Sequence, residues 1–514
     1  MAEGQDQTQR GRANEFNRVG FILAAVGSAI GLGNIWRFPY IAYSNGGGAF
    51  LIPYVFALLT AGLPLLIMEV VLGHRFRGAT PLAFARASRK SEWIGWWQIA
   101  ISFVVSLYYC VVIAWAMAYT VFAVGLQWGG DTEAFLLGKF LQANVDPGTI
   151  GSLVPSVLVP LAIVWTMTLG ILFAGIKRGL ELAARVFVPT LMVIFFAIVI
   201  RGVTLPGATE GLNALFRPDF SGLTDPNVWV QAYAQIFFSL SVGFGIMATF
   251  GSYLPRGSDL NNSSAIAAFS NCSFEIIAGI GVFSCLGFLA TQQGIGVNQV
   301  VEEGVTLAFV IFPQIINTFP GLNSLLGLLF FLSLVVAGLS SHISIVETYV
   351  AGMQAKAGWS RRQAVAICGG FAAVISLLFT TQGGLYFLDV SDYFITSFGL
   401  VTAGLAEAVA FAWFLRRLDD LRTYTNPLSD FTVGQGWKVA ITFVTPPMLA
   451  VIIGKTLWDT LQQGYGGYPN LLLGIGWGVL AASLVAGLAF GAKSWSEDRL
   501  AMPEEPGTAR EATT

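Results

Sequence analysis

The chain has 514 residues, of which 27 are Lys or Arg and 29 are Asp or Glu, a charged share of 11% with a net charge of −2. Soluble domains carry about 25% charged residues. A chain that is 55% hydrophobic, with a mean hydropathy of +0.69, cannot coat a globule of this size with polar side chains. These figures exclude a cytosolic enzyme, a disordered chain and a nucleic-acid binder, which would need a basic face for phosphate. They leave a polytopic protein of the lipid bilayer.

A membrane-crossing helix needs about 20 apolar residues. Residues 1–17 are polar, with no small-residue cleavage site after them, and are expected to form a cytoplasmic N-terminal segment rather than a signal peptide. Spans are predicted in chain order at 18–43, 49–73, 95–127, 153–175, 181–202, 227–254, 262–291, 323–355, 362–381, 387–415, 436–461 and 469–493. The fifth is the weakest, strictly uncharged only from Val186 to Ile200. The runs are continuous rather than alternating, which favours helices over barrel strands. Outer segments are expected at 128–150, at 203–226 and at 292–322, the last with short helices, the acids Glu302 and Glu303 and the breakers Pro313 and Pro320. The tail, 495–514, is charged and expected in the cytoplasm. Cys110, Cys272, Cys285 and Cys368 all lie in apolar runs without CxxC spacing, so neither a disulfide framework nor a zinc pattern is indicated.

Basic residues orient such a chain, because they concentrate on the cytoplasmic side. With twelve spans and an inner N-terminus, 22 of the 27 Lys and Arg fall in inner segments, from Arg10 and Arg12 through to Arg510. Lys139, Arg201, Arg217 and Lys455 fall outside, and Arg37 falls within a span. Both termini are therefore expected in the cytoplasm of a plasma-membrane protein.

Two spans are interrupted. The first holds Gly27-Ser28-Ala29-Ile30-Gly31-Leu32-Gly33-Asn34, the sixth Ser239-Leu240-Ser241-Val242-Gly243-Phe244-Gly245. Each glycine weakens a helix by about 1 kcal/mol relative to Ala. A single Gly-x-Gly in a span is most often a helix-packing device. Here the pair falls in corresponding positions of two five-span halves, and an odd repeat makes the halves point oppositely across the membrane. Paired interruptions of this kind mark a transporter's midplane binding site. Unwinding frees carbonyls for a hard cation and half-helix N-termini for a carboxylate. Asn34, Ser28, Ser239 and Ser241 add side-chain oxygen, and no His/Cys cluster competes for a transition metal.

The first break continues as Asn34-Ile35-Trp36-Arg37-Phe38-Pro39-Tyr40, then Asn45-Gly46-Gly47-Gly48-Ala49-Phe50 and Ile52-Pro53-Tyr54. This string resembles the first-helix signature of the neurotransmitter:sodium symporter family. Gln235 to Ser241 resembles that family's sixth helix and Ala337-Gly338-Leu339-Ser340-Ser341 its eighth. The likeness runs over nearly the whole chain. It implies an all-α membrane protein of twelve transmembrane helices in the leucine-transporter fold, with broken helices 1 and 6. Inverted repeats would cover 18–202 and 227–415, joined by the outer loop 203–226 and followed by helices 11 and 12 in 416–494.

The resemblance also implies two Na⁺ sites. The first would use the Ala29 carbonyl, Asn34, Ser239, Asn271 and the substrate carboxylate. The second would use carbonyls of Gly27, Ile30 and Ala337 with the hydroxyls of Ser340 and Ser341. An amino-acid substrate would place its carboxylate on the Leu32 and Gly33 amides and Tyr109, and its ammonium on the Ala29, Phe238 and Ser239 carbonyls and Ser241. Ser28, Val105, Tyr109, Phe238, Phe244, Ser341, His342 and Ile345 would complete the pocket. Arg37 and Asp392 match the outer gate, with Tyr109 and Phe244 as its aromatic lid. Glu69 and Glu407 are read as structural, bonding backbone freed near the breaks.

Chloride-dependent relatives place chloride near the first sodium. Here Tyr54, Gln235, Ser239 and Asn271 match that site, but Glu275 sets a fixed carboxylate in it. Chloride is accordingly not expected. A carboxylate that protonates when sodium leaves would also allow proton counter-transport. Three positions depart from the family pattern. His342 follows the two sodium-site serines where Ser is common and is expected to touch the pocket. At the inner gate Arg12 is present, but Glu15 or Phe16 replaces a Trp and Ala355 an Asp, so other contacts must close that side. An ω-amino acid or another small zwitterion is the alternative substrate, and a non-transporting sensor of the same fold the alternative function. An intramembrane enzyme lacks its nucleophile–base pair or metal triad, and a channel its repeated filter loops.

Overall fold

The computed structural model describes residues 15–302 and 304–502. Arg10, Arg12, Glu303 and Arg510 lie outside the described residues. Among those described there is no strand, only an isolated antiparallel bridge between Leu153 and Thr381. Among the described residues ten helices are long and apolar enough to cross a membrane: α2 (Gly47–Phe76), α3 (Arg89–Val124), α4 (Pro155–Phe173), α5 (Ile176–Val203), α7 (Leu260–Gln293), α8 (Asn323–Ala357), α9 (Arg361–Thr380), α10 (Gly384–Phe414), α11 (Gln435–Gln463) and α12 (Asn470–Ala492). An eleventh, α1, is bent by 56° between α1a (Arg18–Ala29) and α1b (Leu32–Ser44). The sixth predicted span is split into α6a (Pro226–Ser239) and α6b (Ile246–Ser252). Each half of α6 is too short to cross alone, and Leu240 to Gly245 joins them without helical backbone. The molecule is an all-α, multi-pass membrane protein, and every predicted span finds its helix within a few residues. The segments between spans carry short helices at Thr80–Ala87, Ala208–Phe216 and Gly304–Thr318.

Helix ends follow local chemistry. Asn17 caps α1a by accepting the Gly20 N–H at 2.7 Å. Asp259 caps α7 through the Asn262 N–H at 3.1 Å. Ser360 and Gln363 form a reciprocal capping box at the start of α9. Burial then sorts the spans. In α3 and α8, 78% and 72% of the most apolar window is buried, and these two long helices form the central packed pair. In α11 and α12 only 33% and 22% is buried, so many of their Leu, Val and Phe are exposed on the outside of the bundle. The broken helices α1 and α6 lie against the central pair, which places their interruptions inside protein, where non-helical backbone can exist at membrane depth.

Candidate functional site

The two interruptions differ physically. In α1 only Ile30 and Gly31 leave the helix, both with negative φ in extended conformation. The glycines there serve space rather than left-handed backbone. A Cβ on Gly31 would lie 3.1 Å from the Tyr109 hydroxyl, and one on Gly33 would lie 2.9 Å from the Phe238 ring. In α6 the chain turns through left-handed residues, Ser241 (φ 55°), Gly243 (φ 83°) and Gly245 (φ 73°). Glycine adopts that region without a steric penalty. Side chains of other helices satisfy the freed backbone of this linker. Glu69 Oε1 accepts the Gly243 N–H at 2.7 Å, Ser102 Oγ donates to the Phe244 carbonyl at 2.8 Å, and Thr80 Oγ1 donates to the Gly245 carbonyl at 2.5 Å.

At the first break, Gly31 N–H donates to Asn34 Oδ1 (2.9 Å) and Leu32 N–H to the Tyr109 hydroxyl (3.3 Å). Ser341 Oγ lies 3.3 Å from each of three carbonyls, those of Gly27, Ile30 and Ala337. A hydroxyl has one proton and can donate it to one of them. Four neutral oxygens, three of them carbonyl, are therefore gathered with fewer protons than acceptors. Oxygens that share a calcium-sized hard cation at 2.3–2.6 Å lie roughly 3.3–3.7 Å apart at right angles, and Na⁺ is close to that size. The three Ser341–carbonyl distances match that spacing. The neighbouring Ser340 hydroxyl lies against Gly27, where a Cβ would collide with it.

A second polar chain runs beside it, fully inside the protein. Asn34 Nδ2 donates to Asn271 Oδ1 at 2.8 Å, and Asn271 Nδ2 donates to Ser239 Oγ at 2.5 Å. Ser239 in turn meets the Glu275 carboxylate. Tyr54 donates its hydroxyl to Glu275 Oε2, and Gln235 Nε2 donates to Oε1 at 2.7 Å. Glu275 is 0% exposed, so its charge has only these donors and the nearby Arg37 guanidinium to stabilise it.

Between the breaks, Ser241 Oγ reaches the Ser28 carbonyl at 3.4 Å, while Ser28 Oγ is buried without a hydrogen-bond partner. Val105 and Ile345 lie one turn from Tyr109 and Ser341 and are buried, as is Phe244. The Ala29 residue that ends α1a is buried beside them. The Arg37 guanidinium stands 5.0 Å over the Phe238 ring and within electrostatic range of Asp392.

Two expectations need correction. His342 does not turn toward the breaks. Its Nδ1 bonds Thr168 (3.1 Å), its Nε2 reaches the Ser106 carbonyl (3.3 Å), and its ring packs edge-on against Trp165 at 5.0 Å. Successive helical residues point about 100° apart, so the residue after Ser341 faces α3 and α4 instead. Glu407 does not bond freed backbone: its Oε2 accepts from Gln98 Nε2 at 2.6 Å, and its Oε1 has no partner. Glu69 does bond freed backbone, with its Oε2 left unpartnered.

Other contacts escape a reading by motif. Tyr108, not Tyr109, donates to Asp392 (2.7 Å). Near the N-terminal end of α1a, Arg361 grips Glu347 with two bonds (2.8 and 2.7 Å), and the Tyr253 hydroxyl at the end of α6b donates to the same carboxylate at 2.6 Å. Phe16 packs edge-on against Phe250 and Tyr253, and its N–H donates to the Tyr253 carbonyl at 2.9 Å. Ala355 offers only its carbonyl, which Arg499 takes. Glu347 is a carboxylate deep in an apolar span, which was the available signal.

A model of the sodium:neurotransmitter symporter family matches residues 12–136 and 129–495. The chain is 41% identical over 474 residues to an uncharacterized sodium-dependent transporter of Methanocaldococcus jannaschii, covering 92% of this chain and 95% of that one. It is 28% identical over 553 residues to a sodium- and chloride-dependent glycine transporter 2 of Xenopus laevis, covering 94% and 69%.

Proposed function

This chain belongs to the sodium:neurotransmitter symporter family, a family of sodium-dependent transporters, and on that premise we propose that it imports an amino acid by Na⁺-coupled alternating access. The observation that carries the reading is the Ser341 hydroxyl set 3.3 Å from three carbonyls: Gly27 in the last turn of α1a, Ile30 at the break and Ala337 of α8. One cation there would tie the mobile half-helix to the central packed pair. We assign the second Na⁺ to Gly27, Ile30, Ala337, Ser340 and Ser341. The first goes to Ala29, Asn34, Ser239 and Asn271, completed by the substrate carboxylate.

The substrate lies between the breaks. Its carboxylate meets the Leu32 and Gly33 amides and Tyr109, and its ammonium meets the α6 side and Ser241. The unpartnered Ser28 hydroxyl supports a polar ligand here. Because the substrate carboxylate serves the first sodium, ion and substrate each raise the other's affinity. Glu275 supplies the compensating negative charge, so chloride is not required. The same carboxylate takes a proton when sodium leaves, which gives proton counter-transport.

Two inverted five-helix repeats, 18–202 and 227–415, frame the motion. Helices 1, 2, 6 and 7 rock against 3, 4, 8 and 9, with both termini in the cytoplasm of the plasma membrane. Arg37 and Asp392 close the outer side. Tyr253, Glu347 and Arg361 close the inner side, because they join α6b to α8 and α9. No covalent chemistry takes part.

The test is uptake into proteoliposomes under an inward Na⁺ gradient, after a thermal-shift screen of amino acids and ω-amino acids in Na⁺ and in K⁺. Na⁺-dependent stabilisation by an α-amino acid, with its accumulation, is expected. A response confined to ω-amino acids moves the substrate class. Binding without accumulation makes the protein a sensor.

A further inference from the structure

The inner end of α1a is set against α5. The Asn17 backbone N–H points at Glu181 Oε2, 3.4 Å away. Glu181 ends the π-turn Ile176–Glu181 with which α5 opens. Its side chain is 3% exposed, and its other oxygen pairs with Arg185 at 2.7 Å. The carboxyl lies directly on Gly20. A Cβ there would sit 2.5 Å from the carboxyl carbon, a separation real Cβ atoms do not show. Glu181 thus occupies a notch in α1a that only a glycine leaves open, at the positive end of that helix.

Behind this contact lies a narrow crevice of about 10 Å³, room for roughly one water molecule, between α1a, α5 and α8. Ala24, Leu180, Ala183 and Ala184 form its walls, and it reaches Ser340 and Ser344. One wall is Leu180, next to Glu181 in sequence, and the far side is Ser340, whose hydroxyl lies against Gly27. Two more polar ties hold this end of α1a: the Phe16 N–H on the Tyr253 carbonyl (2.9 Å), and Arg18 with Asp259 (3.1 Å) and Asp430 (3.7 Å). Asp259 caps α7, which travels with α1 in the proposed motion, so that pair can persist through the cycle. The Glu181 contact joins α1a to α5, a helix outside the moving group that packs on α8, so movement of α1a away from α8 would open it.

We propose that Glu181 is a positioning residue of the transport cycle: seated in the Gly20 notch, it latches the inner end of α1a to α5 and closes the crevice by which the second sodium ion reaches the cytoplasm. This rests on the reading of the Ser340/Ser341 cluster as a sodium site. The four native cysteines are buried, so an Ala184→Cys reporter in the crevice wall can be titrated with a thiol reagent on full-length protein, in K⁺ and in Na⁺.

Glu181→Gln should speed labelling in K⁺ about tenfold, the shift expected for one lost hydrogen bond to a charged group. Gly20→Ala should do the same by expelling the carboxyl. In a Glu181→Ala background, Gly20→Ala should add nothing, because its methyl takes vacated space; this is the double-mutant signature of a direct contact. Unchanged labelling in Glu181→Gln, or an equal Gly20→Ala effect in both backgrounds, overturns the latch. The sodium reading is judged separately. Na⁺ should protect the reporter in otherwise native protein and not in Ser341→Ala. Failure of that protection rejects the sodium site, while the comparison in K⁺ still decides the latch.

Discussion

Replacing Glu275 by Ser removes the one carboxylate that Tyr54, Gln235 and Ser239 surround. Two losses follow. Tyr54 and Gln235 are left aiming donors into a site that is 0% exposed, at about 1–3 kcal/mol for each unsatisfied group. On the proposed reading, the first sodium also loses its fixed counter-charge. Glu275 is one hydrogen bond from Ser239, so the ion lies roughly 5 Å from the carboxylate. At an effective dielectric constant of about 20, opposite charges at that distance attract by ~3 kcal/mol, which is about 10²-fold in Na⁺ affinity. Chloride is the natural replacement, since it would accept from the same donors and restore the charge. Na⁺-dependent substrate binding should therefore fall about 10²-fold in gluconate and recover in chloride, with native protein indifferent to the anion. Binding by Glu275→Ser that is as tight in gluconate as in the native protein would refute the charge argument. So would a loss that chloride leaves untouched in a folded variant.

Ser341→Ala leaves three carbonyls without their shared hydroxyl. Thermal stabilisation by Na⁺ should need about ten- to hundredfold more ion, the equivalent of roughly 1–3 kcal/mol, and an unchanged Na⁺ titration removes Ser341 from the site. His342→Ser should keep the native ranking of substrates, because its imidazole contacts Thr168, Ser106 and Trp165 instead of the breaks. Denaturation should show a loss of about 1–3 kcal/mol, and a changed ranking would restore His342 to the pocket. Arg361→Gln strands the buried Glu347 carboxylate, at about 3–5 kcal/mol. Transport should fall sharply and recover in part when Glu347→Gln is added. A double variant no better than the single one counts against a paired inner closure.

The sequence by itself determined the class of molecule, the approximate positions of the spans and the place of both interruptions. Those properties follow from local composition: an 11% charge content, apolar runs of span length, and glycines among small hydroxyl residues. A contact between near neighbours was also legible: Asn34 accepts the Gly31 N–H inside the first break. The meetings of Gly27 and Ile30 with Ser341, and of Asn34 with Asn271, join residues far apart in the chain, which only the family resemblance had put together. The tertiary structure decided what depends on the direction of a side chain or on a partner far along the chain. Adjacent positions on a helix face different neighbours, so Ser341 joins the carbonyl cluster while His342 turns to α4. Tyr108 takes Asp392 while Tyr109 takes Leu32. The inner contacts unite residues remote in sequence, Tyr253 with Glu347 and Asn17 with Glu181, and no local pattern encodes such a pairing. Periodicity fixes which face of a helix is apolar, but only packing decides which helix that face meets.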